Sequence, residues 1–329
     1  MNYTIEMSLQ ENSKVELVRP KNYGFFNWQG GYLTFHQSSW FFFLVVAIVL
    51  CVCALLWLFR KPIYYKYENT QTILKMSKKT FWLIVGIIAA CFTIFRIIVL
   101  FLNHYPNRWE IIPLHYCRLF LVFIILSLVF NRIDLSKYYG IFGVVGVLIA
   151  FGFTDLSSNE KWRSLSADHS DIFWGFDSFV FWDFLFAHSF IIIMCFLLMI
   201  LSSAKQTKKT VFISVVAMFL IALSVLVLNY ITFKYAQNTW KSNWFYLGMQ
   251  EVNSLSELFG KLSRQPYLFL IACFSIMCLY ALALLIFFSA SKISLQKVEN
   301  KWKFIVSKSV AWNDFKQSHL SFKNKNKTV

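Results

Sequence analysis

Charge is scarce in this sequence. Asp, Glu, Lys and Arg make up 15% of its residues, against roughly 25% in a soluble domain. A water-soluble globule of 329 residues would have too little polar surface to cover itself, so a soluble fold is excluded. Acidic groups are the rarer kind, 16 against 32 basic ones. The resulting formal charge of +16 would suggest nucleic acid in another composition. Here the basic residues lie in loops and in the C-terminal segment, which points to membrane orientation and anionic lipid, and no nucleic-acid partner is expected.

Paired cysteines are also missing. Cys51, Cys53, Cys91, Cys117, Cys195, Cys273 and Cys278 all fall in apolar segments and none forms C-x-x-C. Neither a disulfide framework nor a zinc ribbon is indicated, and small buried hydrophobes are the expected role for all but Cys117. Residues 1–39 are polar and charged with no apolar run at the start, so no cleavable signal peptide is expected. There is no Walker A, G-x-G-x-x-G, G-x-S-x-G, H-E-x-x-H or H-x-E…C-x-x-C pattern. Nucleotide-driven transport and metal hydrolysis are therefore disfavoured, and no metal or cofactor is expected.

What the chain does have is apolar length. Hydrophobic residues make up 58%, aromatic residues 19%, and the mean hydropathy is +0.55. Seven segments are long enough to span a bilayer, at about 40–59, 80–102, 111–130, 138–153, 179–201, 211–233 and 267–289. The predicted fold is all-α, a polytopic membrane helix bundle. The fourth span is the shortest, about 24 Å at 1.5 Å per residue. Its Gly140, Gly143, Gly146 and Gly152 predict close packing on neighbouring helices. Short connections make spans 2, 3 and 4 expected neighbours, and likewise 5 and 6.

Twenty of the 32 Lys and Arg lie in the 60–79, 131–137 and 202–210 loops and beyond residue 290, and ten in the other loops. The first set should be cytoplasmic, placing the N-terminus outside and the C-terminus inside a cell membrane. The expected division is an extracytoplasmic segment 1–39, a seven-span bundle 40–289 and a basic cytoplasmic tail 290–329. The Lys-rich tail is expected to lie on anionic head groups or to hang disordered. Membrane lipid is the expected partner, and the sequence does not fix the oligomeric state. The outer loops 154–178 and 234–266 carry Trp162, Trp174, Trp240, Trp244, Phe245 and Tyr246, expected as interfacial anchors.

The remaining charges are the informative ones. His115 and Arg118 open the third span, at about 6 and 11 Å depth; Arg96 lies about 9 Å below the outer edge of the second; Asp183 and His188 lie about 6 and 14 Å into the fifth. Asn229 and Tyr230 fall in the outermost turn of the sixth. Ionisable groups at membrane depth are costly, and they pair or line a cavity. Their common depth predicts a polar site in the outer half, with His188 and His115 as catalytic candidates and Arg96, Arg118, Asp183, Asn229 and Tyr230 as ligand-binding candidates. Helical spacing puts His115 and Arg118 on one face and separates His115 from Cys117 by about 200°. Pro113 and Glu110 suit the first turn of a helix starting near Ile111.

Pro113-Leu114-His115 with Cys117, then Tyr139-Gly140-Ile141-Phe142-Gly143, Ala187-His188, Asn229-Tyr230, and finally Ser254-Leu255-Ser256-Glu257, Gly260 and Pro266-Tyr267 follow in order over residues 80–290. In this the chain resembles the YwaF-like integral membrane protein family. The resemblance implies an all-helical polytopic bundle and a distant link to a eukaryotic membrane acyltransferase of ether-lipid metabolism. In those relatives the nucleophilic cysteine directly precedes the first histidine; here that position is Leu114. An acyl-cysteine mechanism does not carry over, while His115 and His188 match. Three readings stay open: an acyl-transferring or acyl-hydrolysing lipid enzyme, a binding or transport protein for a small anionic solute or lipid head group, and a structural protein whose polar groups satisfy one another.

Overall fold

A computed structural model of the chain describes residues 24–27, 35–105, 107–152, 175–249, 260–299 and 301–319. Among them, nine α-helices account for most of the structure. α1 is Phe35–Leu58, α2 Arg60–Asn69, α3 Lys78–Leu102, α4 Tyr116–Val129, α5 Ser136–Gly152, α6 Phe179–Leu201, α7 Lys208–Tyr235, α8 Tyr267–Ala290 and α9 Val310–Gln317. Seven stretches, built on α1 and α3 to α8, are long and apolar enough to cross a membrane. The expected spans are therefore all present, and the chain is an all-α polytopic bundle. The sequence enforces several helix starts locally. Ser77 accepts a hydrogen bond from the Thr80 amide before α3, Thr207 from Thr210 before α7, and Ser309 from Trp312 before α9. Each satisfies one amide that a helix start leaves unpaired.

α6 is the centre of the bundle. It is apolar on all sides, as a helix surrounded by other helices should be, and packs on α1, α4 and above all α5. Leu185, Ile191, Ile192, Cys195 and Leu198 are almost fully buried along it. α5 fits against it through small residues. A Cβ at Gly140 would stand 2.8 Å from Met199 of α6, and one at Gly143 2.7 Å from Cys195. Gly146 receives the ring of Tyr116 from α4. Gly152 has nothing within 4 Å and is not part of this packing face. The predicted small-residue interface thus rests on three of the four glycines.

Two expectations about neighbours and thiols change. α7 packs on α5 and α8 rather than chiefly on α6. The reason is spatial: the sides of α6 are already occupied by α1, α4 and α5. Among the cysteines, Cys53, Cys117 and Cys195 are buried, whereas Cys51, Cys91 and Cys278 lie exposed on the outside of the bundle.

One end of the bundle carries the added elements. α2 follows α1 directly, and β1 (Thr72–Ile73) pairs with β2 (Met76–Ser77). Beyond α8, β3 (Ile293–Val298) and β4 (Lys301–Val306) form an antiparallel hairpin. Arg60 ties it down, donating to the carbonyls of Trp57, Ser291 and Ile293. α9 folds back, with Trp312 and Phe315 against Phe288 of α8 and an ion pair from Lys205 to Asp314. Residues 293–298 and 301–317 of the expected tail are therefore folded rather than hanging free. Residues 154–174 of the outer loop, with Trp162 and Trp174, and the Ser254–Glu257 motif lie outside the described residues.

Candidate functional site: a buried ion cluster with two histidines

The other end of the bundle holds the buried ion cluster. Asp183 of α6 is the hub. Its Oδ2 accepts from Arg96 Nε of α3 at 2.9 Å and from Arg118 Nη2 of α4. All three residues are buried, 4–8% exposed. Arg96 also donates to the Glu110 carbonyl at 2.9 Å, and its Nη2 lies 3.7 Å from Glu110 Oε2. The two cations and two anions sum to zero. A charge removed from water at this depth is costly alone and tolerable only when paired. The depth arithmetic from the sequence thus brings together three side chains that are 87 and 65 residues apart in the chain.

Tyr105 extends the network. It is almost fully buried, and its hydroxyl donates to Glu110 Oε2 at 3.4 Å. Burial, and next the negative charge of Glu110, push its pKa well above the ordinary tyrosine value, so it is a neutral donor throughout the physiological range. Glu110 and Tyr105 were not foreseen as members of a site. Glu110 reads as a helix-dipole residue only if the third span is helical from Ile111. In fact residues 108–111 form a short 3₁₀ turn and 112–115 a bend, and α4 starts at Tyr116. Pro113 therefore lies in a turn before the helix, and Glu110 turns back to Arg96.

The same break relocates His115. It is the residue before α4, with extended backbone at φ −64° and ψ 146°, so the shared helical face with Arg118 does not apply. The His115 ring meets Tyr246 edge-on at 4.9 Å and Trp109 at 6.2 Å. His188 lies inside the bundle on α6, beside Phe184 at 4.0 Å and Phe151 at 6.0 Å. Its Nδ1 is 2.7 Å from the Phe184 carbonyl. A carbonyl only accepts, so Nδ1 carries the proton and Nε2 keeps its lone pair.

Within this cluster three buried atoms have no hydrogen-bond partner among the described residues: Arg118 Nη1, Asp183 Oδ1 and His115 Nδ1. Orphaned polar atoms in a buried network are unusual and call for an explanation. Cys117 is not among the groups gathered here. Its thiol points to the Gly146 carbonyl at 4.0 Å, on the α5 side of α4. No three His, Cys, Asp or Glu side chains assemble as a metal site among the described residues.

Asn229 and Tyr230 do other things. Asn229 is fully buried; it donates to the Trp244 carbonyl and accepts from Ser242 Oγ and the Trp244 amide. It clamps the 242–246 segment, in which Phe245 and Tyr246 take positive φ of 60° and 57°. Trp244 is 3% exposed, with its indole donating to the Trp109 carbonyl. It is a structural post and not an interfacial anchor. Through this clamp Asn229 sets the position of Tyr246 over His115. Tyr230 is half exposed and lines a separate cavity of about 330 Å³ with Phe233, Ser263 and Gln265. Replacement of Asn229 by alanine is expected to orphan the Trp244 amide and cost roughly 1–3 kcal/mol. The check is a lowered melting temperature together with faster proteolysis between Ala236 and Gly248.

Bundle and cluster together define a polytopic helical membrane protein with its ionisable side chains collected inside one end. Its family is given by a direct comparison. The model of the TMEM164 family matches residues 32–286, which takes in the first six spans and most of the seventh, and the chain belongs to that family. Neither the curated proteins nor the solved structures contain a match.

Proposed function

We propose that the chain is a YwaF-like protein of the cell membrane that transfers or hydrolyses the acyl groups of membrane lipid, working at the end of the bundle that holds the ion cluster. The observation that carries this reading is His188. It is buried, its tautomer is set by the Phe184 carbonyl so that Nε2 keeps its lone pair, and it stands on the same helix as Asp183, the hub of the ion cluster. An imidazole of that kind can act as a general base. Nε2 takes the proton of an acceptor hydroxyl or of water as the oxygen attacks the ester carbonyl carbon. The negative charge that develops on the carbonyl oxygen is met by Arg118 and by His115. The imidazolium then returns the proton to the leaving alkoxide. The Arg96–Asp183–Arg118 cluster positions α3, α4 and α6 about this chemistry. Asn229, a ligand-binding candidate from the sequence, is already committed to Trp244 and Ser242 and is left out of it.

Purified protein in nanodiscs containing labelled phospholipid tests the reading. Wild-type protein is expected to release or transfer label, and His188→Gln to fold normally while losing at least about a hundredfold in rate, the lower range for a general base. Wild-type protein inert toward every lipid class would remove the proposal. The orphaned Arg118 Nη1 favours a second reading, a binding site for an anionic head group or small solute. That reading expects saturable binding that His188→Gln leaves intact and Arg118→Gln weakens.

A further inference from the structure

The β3–β4 hairpin has a face that the bundle meets at Trp302, whose ring stands edge-on to Phe59 at 5.1 Å, and leaves largely open elsewhere. Its register pairs Ile293 with Val306, Leu295 with Phe304 and Lys297 with Trp302. Successive side chains of a strand point to opposite sides, so Ile293, Leu295, Trp302, Phe304 and Val306 share one face. Of these Phe304 is 71% exposed, Val306 76%, Trp302 53% and Ile293 42%. The opposite face carries Ser294, which is fully buried, together with Gln296, Val298, Lys301, Lys303 and Ile305, while Lys297 stands across from Trp302 on the apolar face. The hairpin is thus amphipathic in an inverted sense: its side toward the protein is the more polar one, and its outward side is apolar. In water such a face would be an aggregation hazard at an open two-stranded edge.

We infer that this face is seated in the head-group region of the bilayer that the chain itself spans, as an interfacial anchor for anionic lipid. Three observations select that occupant. β3 begins three residues after α8 ends at Ala290, and the Ser291 and Ile293 carbonyls are both held by Arg60, the first residue of α2, so the hairpin cannot leave the membrane surface. Its apolar residues are of interfacial kind, with Trp302 and Phe304 foremost. Lys292, Lys297, Lys301 and Lys308 surround them and are all exposed, while Lys303 is paired with Glu299 at 3.2 Å within the hairpin. Aromatic side chains sink to the acyl boundary while lysines reach phosphates, the pattern by which surface-lying elements hold acidic membranes. A protein partner would also cover apolar residues, but nothing in it would call for the ring of lysines.

The test uses the full chain in nanodiscs whose phospholipids carry bromine at a shallow or a deep acyl position. Subtracting the emission of Trp302→Phe from that of wild-type protein isolates Trp302 from the other eleven tryptophans. Trp302 emission is expected to fall at least twofold with shallow bromine and less with deep bromine. The quenching should be greater in phosphatidylglycerol than in phosphatidylcholine discs. Phe304→Asp, which leaves Trp302 in place, should abolish most of it. Trp302 unquenched by bromine at either depth, or quenched equally in Phe304→Asp, would overturn the inference. So would Trp302 shielded from quencher only when two copies share a disc, since the face would then be a contact between chains.

Discussion

Asp183→Ala is expected to leave little folded protein. The substitution removes the one carboxylate that both Arg96 and Arg118 contact. Arg96 keeps Glu110, but Arg118 is left at 8% exposure with no anion in contact. Breaking a buried pair by deleting one partner costs about 3–5 kcal/mol, because the other charge stays behind unpaired. A loss of that size is comparable to the whole stability of many domains. The measurement is the yield of monodisperse protein in detergent and its thermal midpoint. Asp183→Asn should cost less than Asp183→Ala, since the amide oxygen still accepts a hydrogen bond. Asp183→Asn combined with Arg118→Gln should recover a good part of the loss, because the pair is then neutral and of nearly the same shape. If the double variant is no better than the single ones added together, Asp183 is not held by its charge and the account of the cluster is wrong.

Gly146→Ala should be damaging out of proportion to its size. The added Cβ would stand 2.1 Å from Tyr116 Cε1 and 2.6 Å from Cδ1. The ring cannot swing away freely. Its hydroxyl donates to the Phe142 carbonyl at 3.1 Å, and Phe120 and Phe245 flank it at 4.8 and 5.2 Å. Overpacking of this kind costs roughly 1–3 kcal/mol, and the upper end is expected here because both helices are central. Tyr116→Leu, which removes the clashing ring atoms, should suppress much of the defect when combined with Gly146→Ala. The double-mutant cycle, read by thermal unfolding in one detergent, should show a coupling of at least about 1 kcal/mol. Additive effects would mean that Tyr116 does not occupy the notch at Gly146. The same notch determines where α4 sits against α5, so a shifted Tyr116 should also disturb Phe245 and the segment that places Tyr246 over His115.

Much of the arrangement is legible along the chain, for stated reasons. A membrane span must be apolar and of a minimum length, so all seven could be read from hydropathy. Ionisable residues inside such runs have to pair, and a fixed rise per residue converts their positions into depths. That reasoning brings Arg96, Arg118 and Asp183 to one level, and in the structure they meet. It failed where the local backbone departs from a helix. The apolar run from Ile111 to Tyr116 has the composition of a span but holds a 3₁₀ turn and a bend, which frees Glu110 to reach Arg96 and turns His115 out of α4. It failed again at Trp244, whose indole and backbone are taken up by Trp109 and Asn229, groups 135 and 15 residues away. The β3–β4 hairpin did leave a trace, the alternation of Lys301-Trp302-Lys303-Phe304, which a reading attentive only to net charge passes over.

The sequence by itself determined that this chain lives in a membrane, which seven stretches are long and apolar enough to cross it, and which buried charges have to find one another. Those outcomes follow from the cost of exposing polar groups to hydrocarbon, which acts on every residue regardless of fold. Tertiary structure alone decided who partners whom: that Asp183 serves two arginines at once, that Asn229 holds a loop instead of a ligand, that α7 rests on α5, and that the hairpin turns its aromatic side outward. These depend on contacts between residues far apart in the chain, where shape and the space left by neighbours choose among pairings that composition and periodicity leave equally open.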